Sequence, residues 1–178
     1  METKIECKLV CEDDLERIMV WRMRPEITKN MRTHPVLTIE KQKAWFEKIS
    51  KEDKQYHWMI RIDKIPVGVI NIHDIDWKKK SCSTGIYIAE KGGGPGLFFE
   101  LHWNLFDFVF DEMQFCEISA EALDFNKTVI MLNKRLWPTI IKQKDCLTYH
   151  ITKEQWNEIR KGKTYQKIIY EKKEYEKT

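Results

Sequence analysis

The sequence predicts an α/β domain in which a mixed sheet carries helices on its faces. Three observations carry that prediction. Short segments rich in β-branched and aromatic residues recur at 57–62, 66–76 and 81–88, and those at 4–10 and 116–122 alternate polar and apolar with period two. Longer segments with apolar residues at helical spacing lie between them, the most apolar running from Leu97 to Met113. Finally, four of the chain's seven glycines fall within 92–96, where a strand meets that apolar helix.

Taken in order, Lys4–Val10 makes the first strand. Asp13 or Asp14 can cap a helix with Leu15, Ile18, Met19 and Arg22 on one face, and Pro25 ends it by biasing Arg24 away from helix. Lys29–Leu37 is a loop. Thr38 caps a second helix with the stripe Gln42, Trp45, Phe46 and Ile49. His57–Ile62 and Pro66–Asp76 form a hairpin about Asp63-Lys64, and Lys78–Lys80 turns the chain into the strand Ser81–Ile88. The lysine run fits a solvated hairpin tip better than a nucleic-acid patch. In the helix from Leu97, Glu100, Asn104, Asp107 and Asp111 form one narrow polar stripe, so the rest of its surface is buried. Cys116–Ala122 is a strand with Glu117, Ser119 and Glu121 on one face. Asn126–Leu136 is a helix closed by Pro138, two short strands follow about a turn near 142–145, and Thr152 opens the last helix. The domain covers residues 1–160. Residues 161–178 form a charged extension, read either as an added strand, a tether to a partner, or a partly disordered tail.

Composition narrows the class. With 178 residues, 33% charged and 12% aromatic, the chain is long enough for one domain with a real core. A formal charge of +3 with both signs intermixed argues against a nucleic-acid partner. No apolar run is long enough to span a bilayer, and the first residues lack a signal-peptide pattern. The five cysteines are scattered without a CxxC pair or a metal-ligand pattern, which fits reduced thiols in a cytoplasmic protein that holds no metal.

The glycine cluster is the strongest chemical signal. Glycines let a backbone approach a ligand closely, and a helix starting behind them points free N–H groups at an anion. Strand, glycine turn and helix start thus make a phosphate cradle, against the plainer reading of a flexible turn. Arg22 is read as a surface ion pair or as a guanidinium aimed at a phosphate or base.

The order of elements and Lys91-Gly-Gly-Gly-Pro-Gly96 resemble the GNAT acyl-CoA N-acyltransferases, whose loop reads Arg/Gln-x-x-Gly-x-Gly/Ala; Lys91 stands for the usual first residue. The resemblance runs from about Ile5 to about Ile159. Trp21-Arg-Met-Arg-Pro-Glu26, Ile72-His-Asp-Ile-Asp-Trp77 with Gly85-Ile-Tyr-Ile88, and Glu121-Ala-Leu-Asp-Phe-Asn126 resemble more narrowly the pseudaminic-acid pathway acetyltransferases. That likeness implies the GNAT fold, a mostly antiparallel mixed sheet with helices on both faces, and acetyl transfer from acetyl-CoA to the 4-amino group of a UDP-linked 4-amino-4,6-dideoxy sugar.

Position by position, the resemblance implies that the backbone of Ile86 and Ile88 pairs with the pantetheine arm. Gly92, Gly93, Gly94 and Gly96 hold the pyrophosphate, Pro95 contributes no donor, and Asn126 bonds the pantetheine. Arg22, Gln42, His73, Asp74 and Tyr87 line the nucleotide side, and Met31 meets the deoxy-sugar methyl. Glu121 is the candidate base that frees the amine of its proton, with a solvated strand glutamate as the plainer reading. Asn133 stands where relatives carry a tyrosine that protonates the departing thiolate; an amide cannot do that, so it steadies the sulfur or water supplies the proton. Gln42 departs from a frequent histidine. Two rival readings are an acetyltransferase for protein N-termini and a non-catalytic coenzyme-binding protein. A homodimer is left open.

Overall fold

The structure, a computed structural model, describes residues 3–94 and 96–173. Its centre is a seven-stranded sheet in the order β1-β2-β3-β4-β5-β7-β6. The strands are β1 (Ile5–Leu9), β2 (Tyr56–Ile62), β3 (Ile65–Asp76), β4 (Ser81–Ile88), β5 (Glu117–Leu123), β6 (Thr139–Lys142) and β7 (Cys146–Thr152). Neighbours pair antiparallel except β4 and β5, which run parallel in the middle of the sheet. A parallel pair needs a crossover. Here it is the glycine turn with α4 (Leu97–Asp107) and the π-helical turn Phe108–Glu112.

The two faces of the sheet have different covers. On one lie Trp58, Ile60, Ile70, Ile72, Ile118 and Tyr149, packed with Leu101, Leu105, Phe106 and Val109 of the crossover, Ile130 and Leu136 of α5 (Lys127–Leu136) and Trp156 of α6 (Lys153–Ile159). On the other, Met59 and Val69 meet Leu15, Ile18 and Trp21 of α1 (Leu15–Met23) and Ile27 of α2 (Pro25–Thr28). Trp45 and Phe46 of α3 (Ile39–Lys51) close that layer. α3 begins where expected, with Thr38 accepting from the Lys41 N–H.

The structure corrects one expectation and adds to two others. α1 buries Leu15, Ile18 and Trp21 rather than a Met19–Arg22 face, so Arg22 rides at the margin of the core. Pro25 does more than stop α1: Arg24 turns extended and Pro25 opens the short α2, the position where a missing N–H costs nothing. The polar stripe on α4 is partly covered, Asn104 fully and Asp107 in part, while Asp111 stays exposed. Asn104 donates to Gln166 O and accepts from Ile168 N, each within 2.9 Å. Asp107 accepts from Trp156, Arg160 and Tyr165.

The segment 165–173, which supplies Tyr165, Gln166 and Ile168 to these contacts, lies along the outer edge of β1. Tyr170 bridges Cys7 in parallel, and Trp58 Nε1 donates to Glu171 O at 2.7 Å. Lys173 Nζ donates to the carbonyls of Ile49, Glu52 and Gln55 behind α3. Residues 174–178, the end of the expected extension, lie outside the described residues. No described helix is long and apolar enough to cross a membrane.

Candidate active site

The parallel pair β4–β5 creates the site. Its ladder runs from Ser81–Glu117 to Thr84–Ala120 and stops. Beyond that point β4 keeps its partner β3 through Ile86–Ile70 and Ile88–Gly68, while β5 turns to β7 through Glu121–Thr148. The strands therefore fork, and the β5-facing backbone of Gly85–Ile88 has no ladder partner among the described residues. A free strand edge binds an extended, amide-bearing ligand as an added strand would. Ile86 and Ile88 sit on that edge.

The glycine turn follows directly. Its entry is pinned: Glu90 accepts from Trp21 Nε1 and from Arg24 Nη2, at 2.8 and 2.9 Å, and Arg24 Nη1 donates to Ala89 O. Gly93 and Gly94 take φ of 71° and 67°, a region costly for residues with a Cβ. At Gly93 a Cβ would lie 2.7 Å from Leu97 Cδ2 and 2.9 Å from Ile62 Cδ1. Gly92, Gly93, Gly94 and Gly96 are exposed, and no side chain caps α4 at Gly96. At the start of this eleven-residue helix Leu97 N and Phe99 N bond back to Gly94 O and Gly96 O, at 3.3 and 3.0 Å, while the exposed glycine backbone before it stays accessible to an anion that the helix dipole favours. Pro95 lies outside the described residues. An anion cradle beside a free strand edge fits a ligand with a phosphate head and an amide arm.

On the α1–α3 face, a cavity of about 500 Å³ opens at the fork. Its walls include Thr84 and Ala120, the last paired residues, and Gly85 and Glu121, the first unpaired ones. Met31, His73 and Asp74 line it with Glu121, so four candidate residues from distant parts of the chain converge there. Asp74 has φ of 50° within the β3 bulge, a conformation that aspartate tolerates. His73 Nδ1 donates to Asp74 Oδ2 at 2.7 Å.

Arg22 and Tyr87 do not line this cavity. They lie near each other between α1 and the sheet, where Arg22 Nε, the Tyr87 hydroxyl and Asn71 Oδ1 are buried with no hydrogen-bond partner among the described residues. Burial pushes the Tyr87 hydroxyl pKa up, which the Arg22 charge partly offsets. Burial likewise drives His57, on the same face, down to about 3. Gln42 is buried in α3 and is not part of the cavity wall.

The structure changes the reading of Glu121. Arg32 Nε donates to its Oε1 at 2.5 Å while Arg32 Nη1 holds Asp145 at 3.0 Å, and Cys146 Sγ donates to its other oxygen. The Arg32 hydrogen bond and charge hold the Glu121 carboxyl below the usual carboxylate range. So clamped, Glu121 accepts hydrogen bonds well but keeps a transferred proton poorly. That pairing counts against Glu121 as the near-neutral base the chemistry calls for.

Asn133 and Asn126 lie on α5 and at its start. The Asn126 side chain caps the helix by accepting from Val129 N, which leaves its amide N–H₂ for a ligand. Asn133 is buried beside the Tyr149 hydroxyl, across the sheet from Glu121. Arg32, Ser83, Ser119, Thr148 and His150 also line the cavity, and sequence reasoning did not single them out. One signal was available, since Glu117, Ser119 and Glu121 alternate onto one face. Their partner His150 is reached only through the β5–β7 register.

Residues 7–136 match the family model described as Acetyltransferase (GNAT) domain. The chain belongs to the GNAT acetyltransferase family. It is an acyl-CoA-dependent N-acetyltransferase with acetyl-CoA as donor substrate. The reading as a non-catalytic coenzyme-binding protein is overturned. Among solved structures, spermidine N-acetyltransferase from Vibrio cholerae, in complex with CoA and spermine, is similar over 87% of this chain and 98% of its own at 14% identity (TM-score 0.77). Apo FdhC, a nucleotide-linked sugar GNAT, is similar over 89% and 90% at 19% identity (TM-score 0.75). A domain from Methanocaldococcus jannaschii is similar over 85% and 99% at 21% identity (TM-score 0.68). At these identities they share the fold with this GNAT protein. No curated protein matches the sequence. No cluster of histidine, cysteine or carboxylate residues that could hold a metal occurs among the described residues.

Proposed function

We propose that this GNAT acetyltransferase moves acetyl from acetyl-CoA to the 4-amino group of a UDP-linked 4-amino-4,6-dideoxy sugar, by direct attack of the amine on the thioester. The observation that carries the reading is the cavity at the fork, which sets an acceptor beside the strand edge that takes the pantetheine arm. Its lining suits a deoxy sugar. Ser83, Ser119 and Thr148 offer hydroxyls, and Met31 gives an apolar wall for a methyl group. Deeper in, the unpartnered Arg22 Nε and Tyr87 hydroxyl offer donors to a nucleotide.

In this reading Glu121 receives the charge of the incoming ammonium, and Gly92–Gly94, Gly96, Ile86, Ile88 and Asn126 hold the coenzyme. Gln42 supports α3 from within rather than touching the nucleotide. Asn133 steadies the neighbourhood of the sulfur; the thiolate, with an ordinary pKa of about 8.5, leaves without an acidic side chain.

A polyamine is the second acceptor class, raised by the likeness to a spermidine N-acetyltransferase. The pairing of Glu121 argues against it. A polycation needs several free carboxylates, and Glu121 is shared with Arg32, while Asp74 is hydrogen-bonded by His73 and lies largely in solvent. A protein N-terminus asks for an open groove, which the enclosing 29–34 loop disfavours.

Mass spectrometry after incubation with acetyl-CoA and a panel of UDP-4-amino sugars, spermidine and an N-terminal peptide decides between them. Gain of one acetyl group on a sugar nucleotide alone is expected; gain only on spermidine or peptide refutes the reading. Arg22→Ala is expected to raise KM for the nucleotide roughly tenfold, as the loss of a charged hydrogen bond does. Weakened acetyl-CoA binding alone places Arg22 on the wrong side.

A further inference from the structure

A row of polar side chains crosses the floor of the cavity, one per strand. His73 on β3 pairs with Ser83 on β4, Ser83 with Ser119 on β5, and Ser119 with His150 on β7. Directly opposed residues share one face of the sheet. The two serine hydroxyls are hydrogen-bonded at 2.9 Å. Each end of the row carries an imidazole held by a carboxylate, His73 by Asp74 and His150 by Glu117, at 2.7 and 2.8 Å. An apolar floor would serve binding as well, so imidazoles in fixed tautomers point to proton traffic.

On the reading that an acceptor amine occupies this cavity, we infer that His150, oriented by Glu117, takes the amine's proton. Nδ1–H donates to Glu117 Oε1, so the neutral ring leaves Nε2 as its free, basic nitrogen. Imidazole is the side-chain base whose ordinary pKa lies nearest neutrality, whereas Glu121 is committed to Arg32. His150 also sits in an unbroken β5–β7 ladder. His73 lies where the β3–β4 ladder shifts register, and its carboxylate is 81% exposed against 47% for Glu117. The rigid, better-shielded pair is the better-positioned base.

The step balances as follows. The substrate ammonium gives one proton to His150 Nε2, and the free amine attacks the thioester carbon. As the C–S bond breaks, the second proton on the attacking nitrogen goes to the departing sulfur, giving the amide and coenzyme A. Once product has left the cavity, the imidazolium gives that Nε2 proton to water, which restores the Nδ1–H tautomer bonded to Glu117. The charged and titratable groups around it are Glu117 and Glu121 from β5, His73 and Asp74 from β3, and Arg32 from the loop after α2. Ser119 on β5, and Thr139 opposite on β6, are uncharged.

The test uses the full chain and whichever amine of the panel above it acetylates. If that amine is spermidine, the sugar reading fails while the question of the base stays open to measurement. Wild-type kcat/KM is expected to fall at acid pH along a limb of slope one. His150→Gln should abolish that limb and lower kcat about 100-fold, with acetyl-CoA affinity unchanged by calorimetry, while Glu121→Gln and His73→Gln keep the limb. A limb that survives in His150→Gln, or vanishes in Glu121→Gln or His73→Gln, overturns the assignment. Independently of turnover, long-range ¹⁵N–¹H spectra of the histidine-labelled protein should show His150 protonated on Nδ1, and Glu117→Gln should disturb that tautomer. An Nε2–H tautomer in the wild type overturns it as well.

Discussion

Gly93 and Gly94 have nearly the same backbone and different surroundings, which separates strain from crowding. A Cβ at Gly94 meets nothing within 4 Å, whereas at Gly93 it meets Leu97 and Ile62 inside 3 Å. Gly94→Ala should therefore cost about 1 kcal/mol, the left-handed penalty alone. Gly93→Ala should cost roughly 1–3 kcal/mol more and shift α4 enough to weaken acetyl-CoA binding. Urea unfolding and isothermal titration of both variants check this, and equal losses would refute the distinction. At this scale the sequence shows which residue types matter but not their partners. The glycines, Met31, His73, Asp74 and Glu121 could be singled out because their chemistry is local or their motif is familiar, and the last four do line one cavity. Arg32 was not: a loop arginine gives no sign that it will reach a glutamate 89 positions away, and that contact changes what Glu121 can do.

At the scale of elements, periodicity marked every strand and the four longer helices, and missed what depends on the neighbour. The helix expected through Met113 becomes π-helical from Phe108, where Met113 N bonds back to Phe108 O. Nothing in an apolar run announces that change of pitch. The segment 165–173 is a second case, since its charged composition left an added strand, a tether and a disordered tail all open. It is held because Ile168 and Tyr170 enter the core and because Asn104 and Trp58 find their partners there. Ending the chain at Lys163 should remove about 1.5–3 kcal/mol for each of the two buried side chains and leave buried polar groups unpaired at about 1–3 kcal/mol each. That is much of the roughly 5–15 kcal/mol that holds a domain together. A sharply lowered urea midpoint or aggregated protein is expected, and a midpoint near that of the whole chain would show the segment to be dispensable.

For the whole molecule, two shielded histidines set the response to acid, His102 fully buried and His57 half-buried. Burial lowers His57 to about 3 and His102 to about 4. The unfolded chain takes up protons on both below its ordinary pKa near 6.5, and the folded chain does not. Stability is therefore full above that pH and declines as pH falls through it, by roughly 2 kcal/mol per histidine between pH 7.5 and 5. His102→Gln should make the decline of the melting temperature visibly shallower, and an unchanged slope would count against burial as its cause. The fold class and the mixed sheet were readable because hydrophobic pattern dictates them, while the β7-before-β6 crossing that delivers His150 is a matter of global topology. That same topology limits how copies of this chain can associate. The stretch ending at Lys173 lies irregularly along the rim of β1 and offers no ladder there, so β6 remains as the regular rim, with Ile140 and Ile141 partly exposed on it. Any self-association through strand addition must then use the same rim on both copies, and such a union is complete at two, with no free end left from which a fibre can grow.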